Sequence, residues 1–283
     1  MWMILLLCLM ASGKAMFQGK FSRRNIKTAN DAVFFNGLIF LFSSLLYVRD
    51  AFGCSGTVIL YGAAFGIFSM AFQLFYIEAM AWGNVSLSMM IANAAIVFPI
   101  TASILFFHEQ LTAIRIIGIA LTAAALFLSM DRTQKSSNLR KWLLFSLAAF
   151  LANGVLMVIQ KFFSHSTYSA EARAFVAWSY IFSTVVSALQ VLLSRSMGHR
   201  LSFSIRPSVF FHAAVPGLLL AAFQVLQTKA LATLDSSLYY PAVTGGSLIM
   251  TTLLGLIFLK DKLRAKQIWS ILIGVVAIVL MNL

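Results

Sequence analysis

Ala71-Phe72-Gln73-Leu74-Phe75-Tyr76-Ile77-Glu78-Ala79-Met80-Ala81 returns as Ala222-Phe223-Gln224-Val225-Leu226-Gln227-Thr228-Lys229-Ala230-Leu231-Ala232, 151 residues further along the chain. Alone, the shared AFQ would mean little in a sequence so rich in alanine and phenylalanine. Two further correspondences keep the same order. Gly13, Lys20 and Phe21 recur as Gly154, Lys161 and Phe162 at a spacing of 141, and Glu109-Gln110-Leu111 parallels Asp261-Lys262-Leu263 at a spacing of 152. Three matches at nearly constant offset, each at an equivalent place in its half, point to internal duplication.

The duplicated unit is apolar almost throughout. Of 283 residues, 61% are hydrophobic and 10% charged, and the mean hydropathy is +0.92. That composition belongs to a bilayer and leaves little for a soluble domain. Apolar stretches fall at 1–19, 32–48, 56–81, 85–107, 113–130, 142–162, 172–194, 208–231, 237–259 and 265–282. Each is long enough to cross about 30 Å of hydrocarbon as a helix. A β-barrel would instead alternate apolar and polar residues over about ten positions, whereas 113–129 and 269–283 are apolar on every face. The first stretch lacks a basic leading region and carries Lys14 in its body, so it reads as a helix and not a signal peptide.

The expected fold class is therefore an all-α integral membrane protein, with ten transmembrane helices arranged as two five-helix repeats. Residues 1–130 form the first repeat and 142–283 the second, joined by the polar linker 131–141, whose core reads DRTQKSSNLRK. Five is odd, so the second repeat must enter the membrane from the opposite side. Inverted repeats of this kind carry two related arrangements of similar energy, one open to each face, with a site near the midplane. Alternating access and a multi-pass location in the cytoplasmic membrane follow as expectations.

The net charge of +13 needs no nucleic-acid partner, because the cations sit in short connections. Four connections, after helices 1, 5, 7 and 9, hold fifteen lysines and arginines, from Lys20 to Lys266; the opposite side holds five, namely Arg49, Arg115, Lys161, Arg173 and Lys229. Counted by the positive-inside rule, both termini lie outside the cytoplasm. Cys8 and Cys54 make neither a disulfide framework nor a metal spacing, and His108, His165, His199 and His212 lack an acidic partner cluster. Neither a metal nor a cofactor is expected. No GxxxxGK[ST] phosphate loop occurs, so an ATP-driven pump is not expected, and a polytopic enzyme ranks far behind a carrier.

Polar groups inside hydrocarbon need partners or a pathway. Lys14 is read as an anchor for an anionic or zwitterionic solute, or as a side chain that snorkels to an interface. Glu78 could bind a cation, exchange a proton or sit at the interface, and Lys229 occupies its equivalent position with opposite charge. Gln73 and Gln224 form the best matched pair, and Tyr76 and Gln227, three residues on, share their faces. Helix 4 adds Asn93. Helix 9 adds Thr244 after an expected break at Pro241. Phe72, Tyr76, Trp82, Trp178, Tyr239 and Tyr240 offer rings that could hold a cation.

Phe106-Phe107-His108-Glu109-Gln110-Leu111-Thr112, followed by Ile117-Gly118, resembles the LGE-L-T…G junction between helices 4 and 5 of the EamA-like transporters in the drug/metabolite transporter superfamily. Phe258-Leu259-Lys260-Asp261-Lys262-Leu263 is its second-repeat counterpart, and Pro99 also fits the pattern. The resemblance covers essentially the whole chain. The family's Trp-Gly in helix 1 is replaced here by Ser12-Gly13. The resemblance implies ten helices in two repeats, cytoplasmic termini in place of the charge count's reverse, and a cavity among helices 1, 3, 4, 6, 8 and 9. On that basis Tyr76 and Tyr240 are retained over the two tryptophans, and Asn153 and Gln160 on helix 6 join the candidates. The expected function is secondary transport of a small polar or amphipathic solute, proton-coupled or by exchange, in a monomer or homodimer. A lipid or lipid-linked-sugar flippase of the same superfamily is the alternative, and a lateral opening between helices would mark it.

Overall fold

The computed structural model describes residues 2–82, 88, 91–128, 138–198, 201–202, 206–259 and 265–281. Among the described residues a helix lies in each of the ten apolar stretches: α1 Trp2–Asn25, α2 Ala29–Leu46, α3 Gly56–Trp82, α4 Val97–Phe107, α5 Ala113–Leu128, α6 Leu139–Ser164, α7 Ala172–Ser196, α8 Pro207–Thr233, α9 Ser236–Leu259 and α10 Ala265–Met281. No strand occurs among the described residues. Among the described residues, five helical stretches are long and apolar enough to cross a membrane: Ala29–Leu46, Gly56–Trp82, Leu139–Ser164, Ser169–Ser196 and Pro207–Thr233. Trp2–Gln18, Ile91–Phe107 and Ala113–Ala125 are shorter apolar helices. Most of the 131–141 linker, the Asp261-Lys262-Leu263 element and the side chain of Lys20 lie outside what is described.

Local chemistry explains where helices start earlier than hydropathy alone suggests. Thr28 and Asp31 form a reciprocal capping box, which starts α2 at Ala29. The Asp31 carboxylate also accepts the Ser202 N–H at 2.8 Å and the Ser202 hydroxyl, tying the α7–α8 connection to the head of α2. Asn138 caps α6, its Oδ1 accepting the Lys141 N–H at 3.1 Å.

The prolines act unequally. Ahead of α4 the backbone tightens into a 3-10 turn at Ala94–Ile96, because Pro99 has no N–H to offer the carbonyl four residues back. The expected single helix over 85–107 is thus interrupted just after Asn93. Pro241, by contrast, lies in the second turn of α9, and that helix runs unbroken through Thr244. The break expected there is absent.

Apolar burial does little to hold helices together in lipid, so close packing and hydrogen bonds must do it. The packing pattern has an internal correspondence. α3 packs on α6 and α7, α8 packs on α1 and α2, α4 packs on α6, and α9 packs on α1. Moving every helix five places along the chain converts each of these contacts into another on the same list. α2–α7 and α5–α10 convert into themselves.

The correspondence reaches individual atoms. At the α3–α7 crossing a Cβ on Gly66 would stand 2.3 Å from the Ser179 carbonyl oxygen and 2.8 Å from Phe182 Cβ. At the α8–α2 crossing a Cβ on Gly217 would stand 2.7 Å from the Ile39 carbonyl oxygen and 2.8 Å from Phe42 Cβ. Ser183 donates to the carbonyl of Gly66 at 3.1 Å or to that of Ser179 at 2.9 Å. Ser43 has the same choice between Gly217 and Ile39, both at 2.8 Å. Around these seams the aromatic core stacks, Phe163 on Phe175 at 4.1 Å and Phe40 on Tyr180 at 5.4 Å.

Candidate functional site

Four helices, α1, α6, α8 and α9, leave a cavity of about 380 Å³ between them, which Asn93 joins from the segment ahead of α4. Periodicity decides which side chains reach it. On α9, Tyr240, Thr244, Ser247 and Thr251 follow at spacings of three and four and form one stripe. On α8 the face is Phe223, Gln224 and Gln227, and on α6 it is Leu156, Met157 and Gln160. Ala11 and Ala15 of α1 supply a small, flat wall.

Hydrogen bonds fix much of this lining. Tyr180 donates to Gln224 Oε1 at 3.3 Å, Gln160 Nε2 donates to Thr228 Oγ1 at 3.3 Å, and Tyr240 donates to the Met157 carbonyl at 3.2 Å. Ser12 donates to the Ser247 carbonyl at 3.1 Å, holding α1 on α9. Gln224 Nε2 and the Tyr239 hydroxyl are buried with no partner among the described residues.

A buried charge pair adjoins the cavity lining in sequence. Beside Gln160, Lys161 is fully buried and its Nζ meets Glu109 Oε1 at 2.7 Å while donating to the Leu231 carbonyl at 3.2 Å. The other carboxylate oxygen of Glu109 accepts the Ser236 N–H at 2.8 Å, and Ser103 donates to the Ser236 hydroxyl at 2.7 Å. Four helix ends, from α4, α6, α8 and α9, therefore converge on one carboxylate. Arg115 at the head of α5 adds an ion pair to Asp235 at 2.5 Å. His165 lies against Phe107, the rings tilted and 4.4 Å apart; burial and the neighbouring Lys161 hold its imidazole below the usual histidine range.

Glu109 faces inward because of the residue before it. His108 ends α4 in the left-handed conformation at φ 54°, and both the His108 and Glu109 N–H groups turn back to the Ser103 carbonyl. Only glycine takes that backbone freely. His108→Gly is expected to fold at least as well as the native chain, and His108→Val to lose about 1–2 kcal/mol. Thermal unfolding of the two variants in detergent checks the order, and equal melting of both would refute it.

Of the residues singled out from sequence, Asn93, Gln160, Gln224, Gln227, Tyr240 and Thr244 converge on the cavity. Lys14, Phe72, Gln73, Tyr76, Glu78 and Asn153 lie outside its lining. Asn153 donates to the Ala92 carbonyl at 2.9 Å, a packing role, and Phe72 and Tyr76 stack on each other at 5.5 Å. Glu78 accepts from Trp82 Nε1 at 3.1 Å, and Lys141 stands 4.2 Å over that indole. Lys14 makes no hydrogen bond or ion pair with the described residues. Phe223 and Ser247 were missed, although the three-and-four spacing from Tyr240 already placed Ser247 in the stripe; Tyr239, named among the candidate rings but not retained, also lines the cavity. The Glu109–Lys161 pair was also missed as a pair, though both residues had been noted in the repeat.

A second cavity, of about 390 Å³, lies between α4 and α5 and shares Asn93 with the first. Its walls are almost wholly apolar, with Ile100, Ile104, Ile116 and Ile119 prominent. No group of three or more histidine, cysteine or acidic side chains placed to hold a metal occurs among the described residues.

Residues 1–130 match the model of the EamA-like transporter family. A solved crystal structure, titled only as that of a protein, is similar over 99% of this chain and 94% of its own, with a TM-score of 0.79 at 13% identity. That likeness speaks for the fold alone. No curated protein matches by sequence.

Proposed function

We propose that this membrane protein, whose first 130 residues match the model of the EamA-like transporter family, is a secondary carrier of the drug/metabolite transporter type for a small organic solute. The solute occupies the α1–α6–α8–α9 cavity and crosses the cytoplasmic membrane by alternating access. One observation carries the reading: a cavity with polar side chains from three helices keeps the Gln224 amide and the Tyr239 hydroxyl without partners among the described residues. A packed bundle would not leave such groups unpaired beside an open volume.

The ten-span arrangement, with repeats at 1–130 and 142–283, belongs to the same proposal. It draws support from the helix contacts that interchange on a five-helix shift and from the matched Gly66–Ser183 and Gly217–Ser43 contacts. The odd number of helices per half then relates the repeats by a two-fold axis in the membrane plane. Gln224, Gln160, Gln227, Tyr240, Thr244 and Asn93 are the proposed solute contacts.

Purified protein in liposomes, offered labelled amino acids, quaternary amines, nucleosides and uncharged amides, is expected to exchange at least one across the membrane without ATP. Gln224→Ala should cut that exchange at least about fivefold, the worth of a lost hydrogen bond, with protein abundance unchanged. Absence of exchange for every class, in protein that elutes as a folded species, would sink the proposal. The flippase reading has one feature in its favour, the apolar α4–α5 groove that meets the cavity at Asn93. Scrambling of a fluorescent lipid by the same liposomes decides for it.

A further inference from the structure

The cavity's chemistry narrows the solute, given that the carrier reading holds. Two observations bear on charge. First, no aspartate, glutamate, lysine, arginine or histidine lines the cavity among the described residues. Lys14 and Glu78, the two ionisable side chains that would have selected an anion or a cation, both lie outside the lining. Glu109 and Lys161, the latter next in sequence to the lining residue Gln160, neutralise each other at 2.7 Å. A solute ion entering this space would leave its hydration behind and meet no counter-charge, which is the costly way to bury a charge.

Second, the wall carries hydrogen-bonding capacity that nothing in the protein uses. Gln224 is 5% exposed and Tyr239 1% exposed, and Gln224 Nε2 and the Tyr239 hydroxyl lack partners among the described residues. Buried donors without partners are uncommon in native proteins and costly to keep. Around them the wall is apolar and aromatic: Leu156, Met157, Phe223, Tyr240 and Val243.

We infer that the cavity binds an uncharged solute with a flat apolar body and a carbonyl-type acceptor, the acceptor oxygen being taken by Gln224 Nε2 and the Tyr239 hydroxyl. The body lies against Phe223 and Tyr240. The donors reach the solute by small side-chain rotations, since both are seated in the wall. Selectivity against charge then comes from the absence of a counter-ion, and selectivity among neutral solutes from these two donors.

Three probes of one shape separate the possibilities: phenylacetamide, phenylacetate and phenethylamine. The purified full chain in detergent is expected to be stabilised against heat by the amide, with little or no response to either ion. In Gln224→Met and Tyr239→Phe the affinity for the amide should fall about five- to tenfold, as loss of one hydrogen bond implies. A response to phenylacetate or phenethylamine equal to that of the amide overturns the inference. So does an undiminished response in both variants, or no response to any probe. The carrier reading stands or falls separately: exchange of some other solute by the same preparation keeps it, and exchange of nothing removes it.

Discussion

Lys161→Met is expected to destabilise the folded chain by about 3–5 kcal/mol, the usual consequence of removing one member of a buried ion pair. The lysine is fully buried and its partner Glu109 nearly so, and the methionine would leave a carboxylate facing the Leu231 carbonyl with no cation between them. The double variant Lys161→Met, Glu109→Gln should regain most of that loss. A glutamine at 109 still offers an oxygen to the Ser236 N–H, and no uncompensated charge remains. Unfolding of the three proteins in a denaturant series in detergent gives the comparison. A single variant as stable as the native chain, or a double variant no better than the single, contradicts the assignment of this pair as a stabilising buried ion pair. Retained stability with lost exchange in the double variant would mark the charges as needed for movement, not for folding.

Gly66→Ala and Gly217→Ala should each lose at least about 2–3 kcal/mol, at the upper end for overpacking by a single carbon. In both cases the added Cβ meets a backbone carbonyl oxygen, at 2.3 Å and 2.7 Å, and backbone cannot step aside as a side-chain tip can. The two losses should add, because the seams share no residue. Gly56→Ala is the control, since a Cβ there meets nothing within 4 Å. Monodisperse elution and melting temperature report all four proteins. Tolerance of alanine at 66 or 217 would mean that these crossings are looser than the contacts indicate.

Much of the architecture was readable from the chain because a bilayer imposes simple rules. Hydrophobic runs located the α-helices among the described residues, and the AFQ repeat led to the cavity through Gln224 and Gln227. Helix ends were less readable. Thr28 with Asp31, and Asn138, moved two starts by a few residues, which capping chemistry signals and hydropathy ignores. Proline was misjudged in one helix: Pro99 tightens its neighbourhood, whereas Pro241 sits too near the start of α9 to interrupt it.

The site divided along a physical line. Duplication suggests that Gln73 and Gln224 play equal parts, yet of the two only Gln224 lines the cavity. Glu78 and Lys14 drew attention as lone charges, but burial cost says nothing about which neighbour a side chain faces. The histidine at 108 stands where the resembling motif has glycine, and the left-handed turn shows what that glycine is for.

Ser43 and Ser183 each hold a hydroxyl within reach of two carbonyls, one on its own helix and one across the seam. Parting the helices would return each hydroxyl to its own backbone, so the polar group is never stranded. The carbonyl across the seam would be left without its donor, and the glycine would face a gap that no side chain fills. Such seams resist opening while tolerating a slight slide, as tongue-and-groove boards do. The α2–α8 and α3–α7 pairs are thus the stiff timbers of the bundle.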